Sequence, residues 1–122
     1  MDQFQAEPAS WWPNGLGGYI KPDAYAVLAT NDIRDHWWIE VDLATESLPT
    51  VRRQLLTYLD FANRGQLGPG QIVPRVAIAT TAPKRRKTIA TMVEKLPPPA
   101  DQLLRIVQTD ELASSLYQVL RE

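Results

Sequence analysis

Residues 36–58 read HWWIEVDLATESLPTVRRQLLTY, and this stretch decides the fold. Its first nine residues alternate. In an extended chain His36, Trp38, Glu40, Asp42 and Ala44 share one face, while Trp37, Ile39, Val41 and Leu43 share the other. The second set is apolar and is expected to face the core, which leaves the first as the informative face. From Ser47 the period changes. Ser47 is a fair N-cap, Pro49 suits the first turn, and Val51, Leu55, Leu59 and Ala62 recur at helical spacing until Gly65 stops the run.

Working outward, Tyr19–Thr30 reads as a strand in which Asp23 opens an apolar run, and Asn31-Asp32 marks the turn into the strand His36–Ala44. Residues 1–18 hold Pro8, Pro13, Gly15, Gly17 and Gly18, which break any period. They are expected to form an irregular arm docked through Trp11 and Trp12, with residues 19–122 as a single domain. Downstream, a Gly/Pro loop at 68–70 leads to a third strand, Val76–Thr80. A helix over Lys84–Leu96 follows, with Ile89, Met92, Val93 and Leu96 inward, and Pro97–Pro99 end it. A strand at Leu104–Val107 and a helix at Asp110–Leu120 close the chain. The order ββαβαβα predicts an α/β fold, a mixed central sheet flanked by helices on both faces.

The 122 residues suffice for one core, and 44% hydrophobic with 22% charged residues excludes wholesale disorder. No apolar run approaches a membrane span and no signal-peptide pattern follows Met1, so a cytoplasmic protein without membrane association is expected. Cys is absent and His occurs once, which excludes thiolate and His-rich metal sites. Any divalent metal would be held by carboxylates, favouring a hard ion such as Mg²⁺ or Mn²⁺. Charge is divided along the chain. Residues 1–50 carry eight acids and two bases, and the remainder carries eleven bases and six acids. Such asymmetry fits a polyanion partner or a metal-plus-phosphate site, and equally two halves that neutralise each other in space.

Three features carry chemistry. Pro22 fixes Asp23 at the start of a strand, where Pro is tolerated. Glu40 and Asp42 stand two residues apart on one face of the next strand, so pairing near this register crowds three carboxylates and calls for a cation among them. Gln54 and Tyr58 lie one helical turn apart, placed to orient a carboxylate, a water or a phosphate. The bland alternative is a strand-end cap with surface carboxylates paired to Lys21 or Arg34.

Pro-Asp opening one strand, acid-x-acid on the next, and a helix with Gln-x-x-x-Tyr together resemble the PD-(D/E)xK, restriction-endonuclease-like superfamily. Within it the chain is similar to the replication-relaxation family of plasmids and integrated mobile elements. The resemblance rests on KPDAYAVL at 21–28, WWIEVDLATES at 37–47, QLLTY at 54–58 and PRVAIAT at 74–80, and spans about residues 19–90. It implies a four-stranded core that binds metal and the DNA backbone. Asp23 would be a metal ligand, Glu40 or Asp42 the second acid, and Gln54 and Tyr58 the helical pair of the exonuclease branch. Relatives of this type commonly carry a winged-helix part before this region. The chain is therefore expected to be a stand-alone remnant or one domain of a pair.

The Lys of that pattern is missing. With Glu40 as the acid its place holds Asp42, and with Asp42 it holds Ala44. Where relatives move the Lys into the helix, this chain has Gln54, and Arg52 and Arg53 are turned about 100° or more away from it. A cation there stabilises charge on the attacked phosphate, an effect worth roughly 10²–10³ in rate. Robust catalysis is therefore not expected, although a bound metal alone still activates water.

Lys84-Arg85-Arg86-Lys87 opens a helix, where cations oppose the macrodipole unless a phosphate is present. This cluster is read as a DNA-backbone contact, with Arg52 and Arg53 as weaker candidates. Trp38 could stack on a base, but packing under the arm is the commoner fate. His36 reads as a hydrogen-bonding surface residue. The leading expectation is a DNA-binding accessory protein of plasmid or mobile-element replication or transfer on a degenerate nuclease scaffold. The alternatives are an active Mg²⁺-dependent DNA nuclease and a protein-interaction or dimerisation module. Expected partners are DNA and either a second copy or a separate winged-helix, replication or mobilisation protein.

Overall fold

The computed structural model describes residues 2–108. Seven strands occur in the order β1 (Gln3–Ala6), β2 (Trp12–Pro13), β3 (Tyr19–Ile20), β4 (Ala24–Thr30), β5 (Ile33–Asp42), β6 (Arg75–Thr80) and β7 (Leu104–Gln108). Helix α1 (Leu48–Asn63) joins β5 to β6, and α2 (Pro83–Glu94) with the short α3 (Ala100–Leu103) joins β6 to β7. Five strands form one mixed sheet in the order β1-β4-β5-β6-β7, with β1-β4-β5 antiparallel and β5-β6-β7 parallel. The α/β class with a mixed sheet and helices is thus as expected, but the described helices α1, α2 and α3 pack on one face of the sheet and not on both. The helix expected over Asp110–Leu120 lies outside the described residues.

Helix α1 starts and stops where its side chains dictate. Ser47 Oγ accepts from the Thr50 amide at 3.3 Å, and Pro49 occupies the first turn. At the other end Gly65 takes φ +73°. There the Gly65 amide donates to the Ala62 carbonyl and the Gln66 amide to the Phe61 carbonyl, which is a Schellman closure.

Both parallel crossovers step the same way across the sheet, from β5 to β6 to β7. A right-handed crossover with constant direction returns each helix to the same face. The main core accordingly gathers Val51, Leu55, Tyr58, Leu59 and Phe61 of α1, Ile89 of α2 and Leu103 of α3 against one side of the sheet. That side carries Tyr25, Val27, Trp38, Val76 and Ile78.

This corrects the face assignment for β5. Trp38, not the Trp37 set, meets the helices. It is 1% exposed, its ring 5.7 Å from Tyr58 and edge-on to Phe61 at 5.4 Å, so it is core and lies under α1. Trp37 and Ile39 are buried on the opposite side among Ala24, Ala26, Leu28, Ala77, Ala79 and Val107. Val41 and Leu43, expected in the core, are exposed, Leu43 at 73%. The reason is register. Pairing of β4 with β5 ends at Ala24 opposite Ile39, and the last residues of β5 run on past that neighbour.

The arm is more ordered than its Pro and Gly content implies. Gln3–Ala6 pair antiparallel with Val27–Ala24 and make β1 the edge of the sheet. Trp12 pairs opposite Ile20 in a separate hairpin, and Asn14 Oδ1 accepts from the amides of Leu16 and Gly18 at its tip. Trp12 docks the hairpin as expected. It packs on the main core, and its Nε1 donates to the Leu67 carbonyl at 3.0 Å. Trp11 turns outward beneath Lys21. Among the described residues no helix is long and apolar enough to cross a membrane.

Candidate acidic site and cationic helix ends

The β4–β5 register, continued by one residue beyond Ala24 opposite Ile39, sets Asp23 across from Glu40. The Asp23 carboxylate accepts the Val41 amide at 2.7 Å and so caps a backbone donor left over where β4 stops. Glu40 points to the helix side, and the Tyr58 hydroxyl of α1 donates to its Oε1. Asp23, Glu40 and Tyr58 are therefore brought together, as their spacing predicts. Gln54, one turn before Tyr58, turns to Glu46, donating to Oε2 at 3.1 Å. Asp23, Glu40, Glu46, Gln54 and Tyr58 all line one cleft of about 850 Å³, between α1 and the β2–β3 hairpin.

Electrostatics follow from burial. Glu40 is pushed up to about 8, first by loss of solvent, then further by the charges of Asp23, Glu7 and Glu46, with the Tyr58 hydrogen bond pulling the other way. Burial raises Asp23 as well, opposed by the Val41 amide. Tyr58 is held well above the usual phenol range by burial and by Glu40. Both carboxyls of the site are thus pushed toward holding a proton, Glu40 the more strongly, with the Tyr58 hydroxyl as a donor to Glu40.

Asp42 does not join them. Its side chain is 6% exposed, and Arg85 of α2 grips it with Nε to Oδ2 at 2.9 Å and Nη2 to Oδ1 at 3.0 Å. The same Nη2 donates to the Glu46 carbonyl at 2.7 Å, tying the start of α2 to the β5–α1 connection. Among the described residues no three His, Cys, Asp or Glu side chains are arranged to hold a metal ion. With Asp42 gripped by a guanidinium and Glu40 turned to the Tyr58 hydroxyl, Asp23, Glu40 and Asp42 do not converge into the three-carboxylate centre expected of them.

The cations collect at the carboxyl ends of two adjacent parallel strands. Because β5 and β6 run the same way and each feeds a helix, the first turns of α1 and α2 open at one edge of the sheet. Arg52 and Arg53 stand in the second turn of α1, and Lys84, Arg86 and Lys87 at the start of α2; all but the half-buried Arg86 are exposed. Neither helix has an acid in its first turn, and no side chain caps the first amides of α2. Arg85, expected among the DNA contacts, is committed to Asp42 instead. Its role escaped the sequence because the two residues are 43 apart. The available signal was the register of Asp42 beside Thr80, three residues before α2 begins. His36 accepts or donates at Nδ1 to the Tyr25 hydroxyl at 2.6 Å, away from both sites.

No curated protein and no solved structure matches this chain. The sequence pattern of the replication-relaxation family matches residues 2–76, over half of the chain. The matched span takes in the arm, β1 to β5, α1 and the start of β6, hence Asp23, Glu40, Tyr58 and the cleft, and stops before α2. The chain belongs to the replication-relaxation family.

Proposed function

We propose that this protein is a DNA-binding accessory factor of plasmid or mobile-element replication or transfer, acting in the cytoplasm on a nuclease-like scaffold that has lost its catalytic cation. Family membership supports the replication or mobile-element context. The observation that carries DNA binding is the edge where two helix N-termini open side by side, with no acid in either first turn and with Arg52, Arg53, Lys84, Arg86 and Lys87 within their first two turns. Cations there strain each helix against its own dipole, and a phosphate backbone reverses the sign of that interaction. Such contacts position a duplex without reading its sequence.

The test is fluorescence anisotropy of labelled duplex DNA across a salt series. Binding should weaken linearly on a log–log plot, and Lys84→Ala with Lys87→Ala should lower affinity for every sequence while reducing the salt slope by about 2. Equal affinity and slope for the variant would sink the reading. The meeting of Asp23, Glu40 and Tyr58 favours a second reading, a DNA nuclease, and the same samples incubated with Mn²⁺ decide it. Cleavage that Asp23→Asn abolishes establishes the nuclease; intact DNA leaves the binding role.

A further inference from the structure

The cleft beside Asp23 and Glu40 has two linings of opposite character. Its floor is acidic. Glu7, Asp23, Glu40 and Glu46 converge there, and each of the other three adds to the charge felt by Glu40. Its rim is apolar. Of the eight large hydrophobic side chains exposed among the described residues, four line this one cleft: Leu16 at 70%, Tyr19 at 58%, Leu43 at 73% and Val41. Scattered exposed apolar side chains need no explanation, but a cluster around a concave polar floor marks an interaction site.

The cations on the lining do not neutralise the floor. Arg64 is held by Asp60 and by the Asn14 carbonyl, and Lys21 lies over the Trp11 ring at 4.8 Å. That leaves Arg53 of α1, which also belongs to the cationic edge. A nucleic-acid strand laid in the cleft would bring phosphates against the carboxylates of Glu7, Asp23 and Glu46, so the floor disfavours it. A basic side chain is complementary to the floor, and apolar neighbours on either side of it are complementary to the rim. At about 850 Å³ the cleft has room for several side chains.

We propose that this cleft docks an extended segment of a partner protein, one that presents a basic side chain between two apolar ones. The site adjoins the cationic edge, sharing Arg53 with it, and the proposal does not depend on whether that edge binds DNA. One face of the domain then holds protein while the adjoining edge holds a polyanion.

The experiment is a two-dimensional ¹⁵N NMR titration of the full chain with the blocked peptide Leu-Arg-Leu, and with Leu-Glu-Leu as control. The Arg peptide should give saturable shifts at Leu16, Tyr19 and Leu43, and the Glu peptide none. Glu46→Gln should weaken binding up to about fivefold, as expected for one exposed ion pair. Leu43→Ser should weaken it by a similar factor, while Ile72→Ser, exposed elsewhere, should leave it unchanged. No saturable shift, equal shifts from both peptides, or variants without effect would overturn the proposal. So would a short single-stranded oligonucleotide that shifts the cleft residues when the Arg peptide does not.

Discussion

Glu40 ties stability to pH. Its folded value near 8 stands above the ordinary 4.5, so the folded state keeps a proton that the unfolded chain releases. The contribution is neutral below about pH 4.5, falls as pH rises through the window, and levels off above about pH 8. Asp23, also raised, acts in the same direction. Glu40→Gln keeps an acceptor for Tyr58 but cannot ionise. It should flatten the decline between pH 5 and 8 and stabilise the protein at pH 8. Urea unfolding at several pH values measures this, and a slope equal to wild type would contradict it. The Asp42–Arg85 pair behaves differently. Arg85→Met leaves a buried carboxylate unpaired and should cost about 3–5 kcal/mol, whereas Asp42→Met combined with Arg85→Met should recover most of the loss. Denaturant midpoints of the wild type and these two variants distinguish a charge effect from a packing effect. At this scale Asp23, Glu40 and Tyr58 were legible, because strand register and helical spacing are local rules. Arg85 was not, since its contact depends on how a crossover returns.

Helix α1 is the element most completely written into its own sequence. Ser47, Pro49 and Gly65 each sit where backbone geometry requires them, and Val51, Leu55 and Leu59 are all buried. Gly65 is informative because a Cβ there would meet nothing within 4 Å, so the only obstacle to a side chain is its φ of +73°. Gly65→Ala should therefore cost about 1 kcal/mol through the backbone alone, and Ser47→Ala about 1 kcal/mol through the lost cap. Thermal unfolding of both, and of the double variant, should give additive shifts, because the sites are at opposite ends of the helix. Other elements were harder to read. Strand β1 is four residues of mostly exposed side chains, and what holds it is backbone pairing with β4, which no side-chain pattern announces. The same holds for the hairpin strands β2 and β3, two residues each.

For the whole molecule, the order β4-β5-α1-β6-α2-β7 was readable, but the strands of the arm and the choice of face were not. Alternation along β5 divides its residues into two sets correctly, yet both sets are apolar enough near Trp37 and Trp38 to be buried. Only the direction of the two crossovers says which set meets α1 and α2. The charge division follows the same geometry. Acids of the first half meet in the cleft and at Asp42, and the bases that open α1 and α2 ring one edge. The halves touch through the Arg85–Asp42 and Arg75–Asp35 pairs, and the acids of the cleft stand apart from the bases at the helix ends, so the net charge of −1 conceals two opposed fields. Their separation predicts opposite responses to ionic strength: duplex DNA should dissociate steeply with added salt, while protein stability changes little because the Asp42 pair is buried.

The guanidinium of Arg85 also acts as a rivet. By fastening the opening turn of one helix to the carboxylate and the carbonyl that precede the other, it makes the gap between the two helix mouths a constant of the fold. A surface built this way meets its ligand already in shape, like a gauge cut to one width, and gives up little freedom on contact. On the proposed DNA-binding role, loosening that rivet should weaken duplex affinity even where every surface cation remains in place.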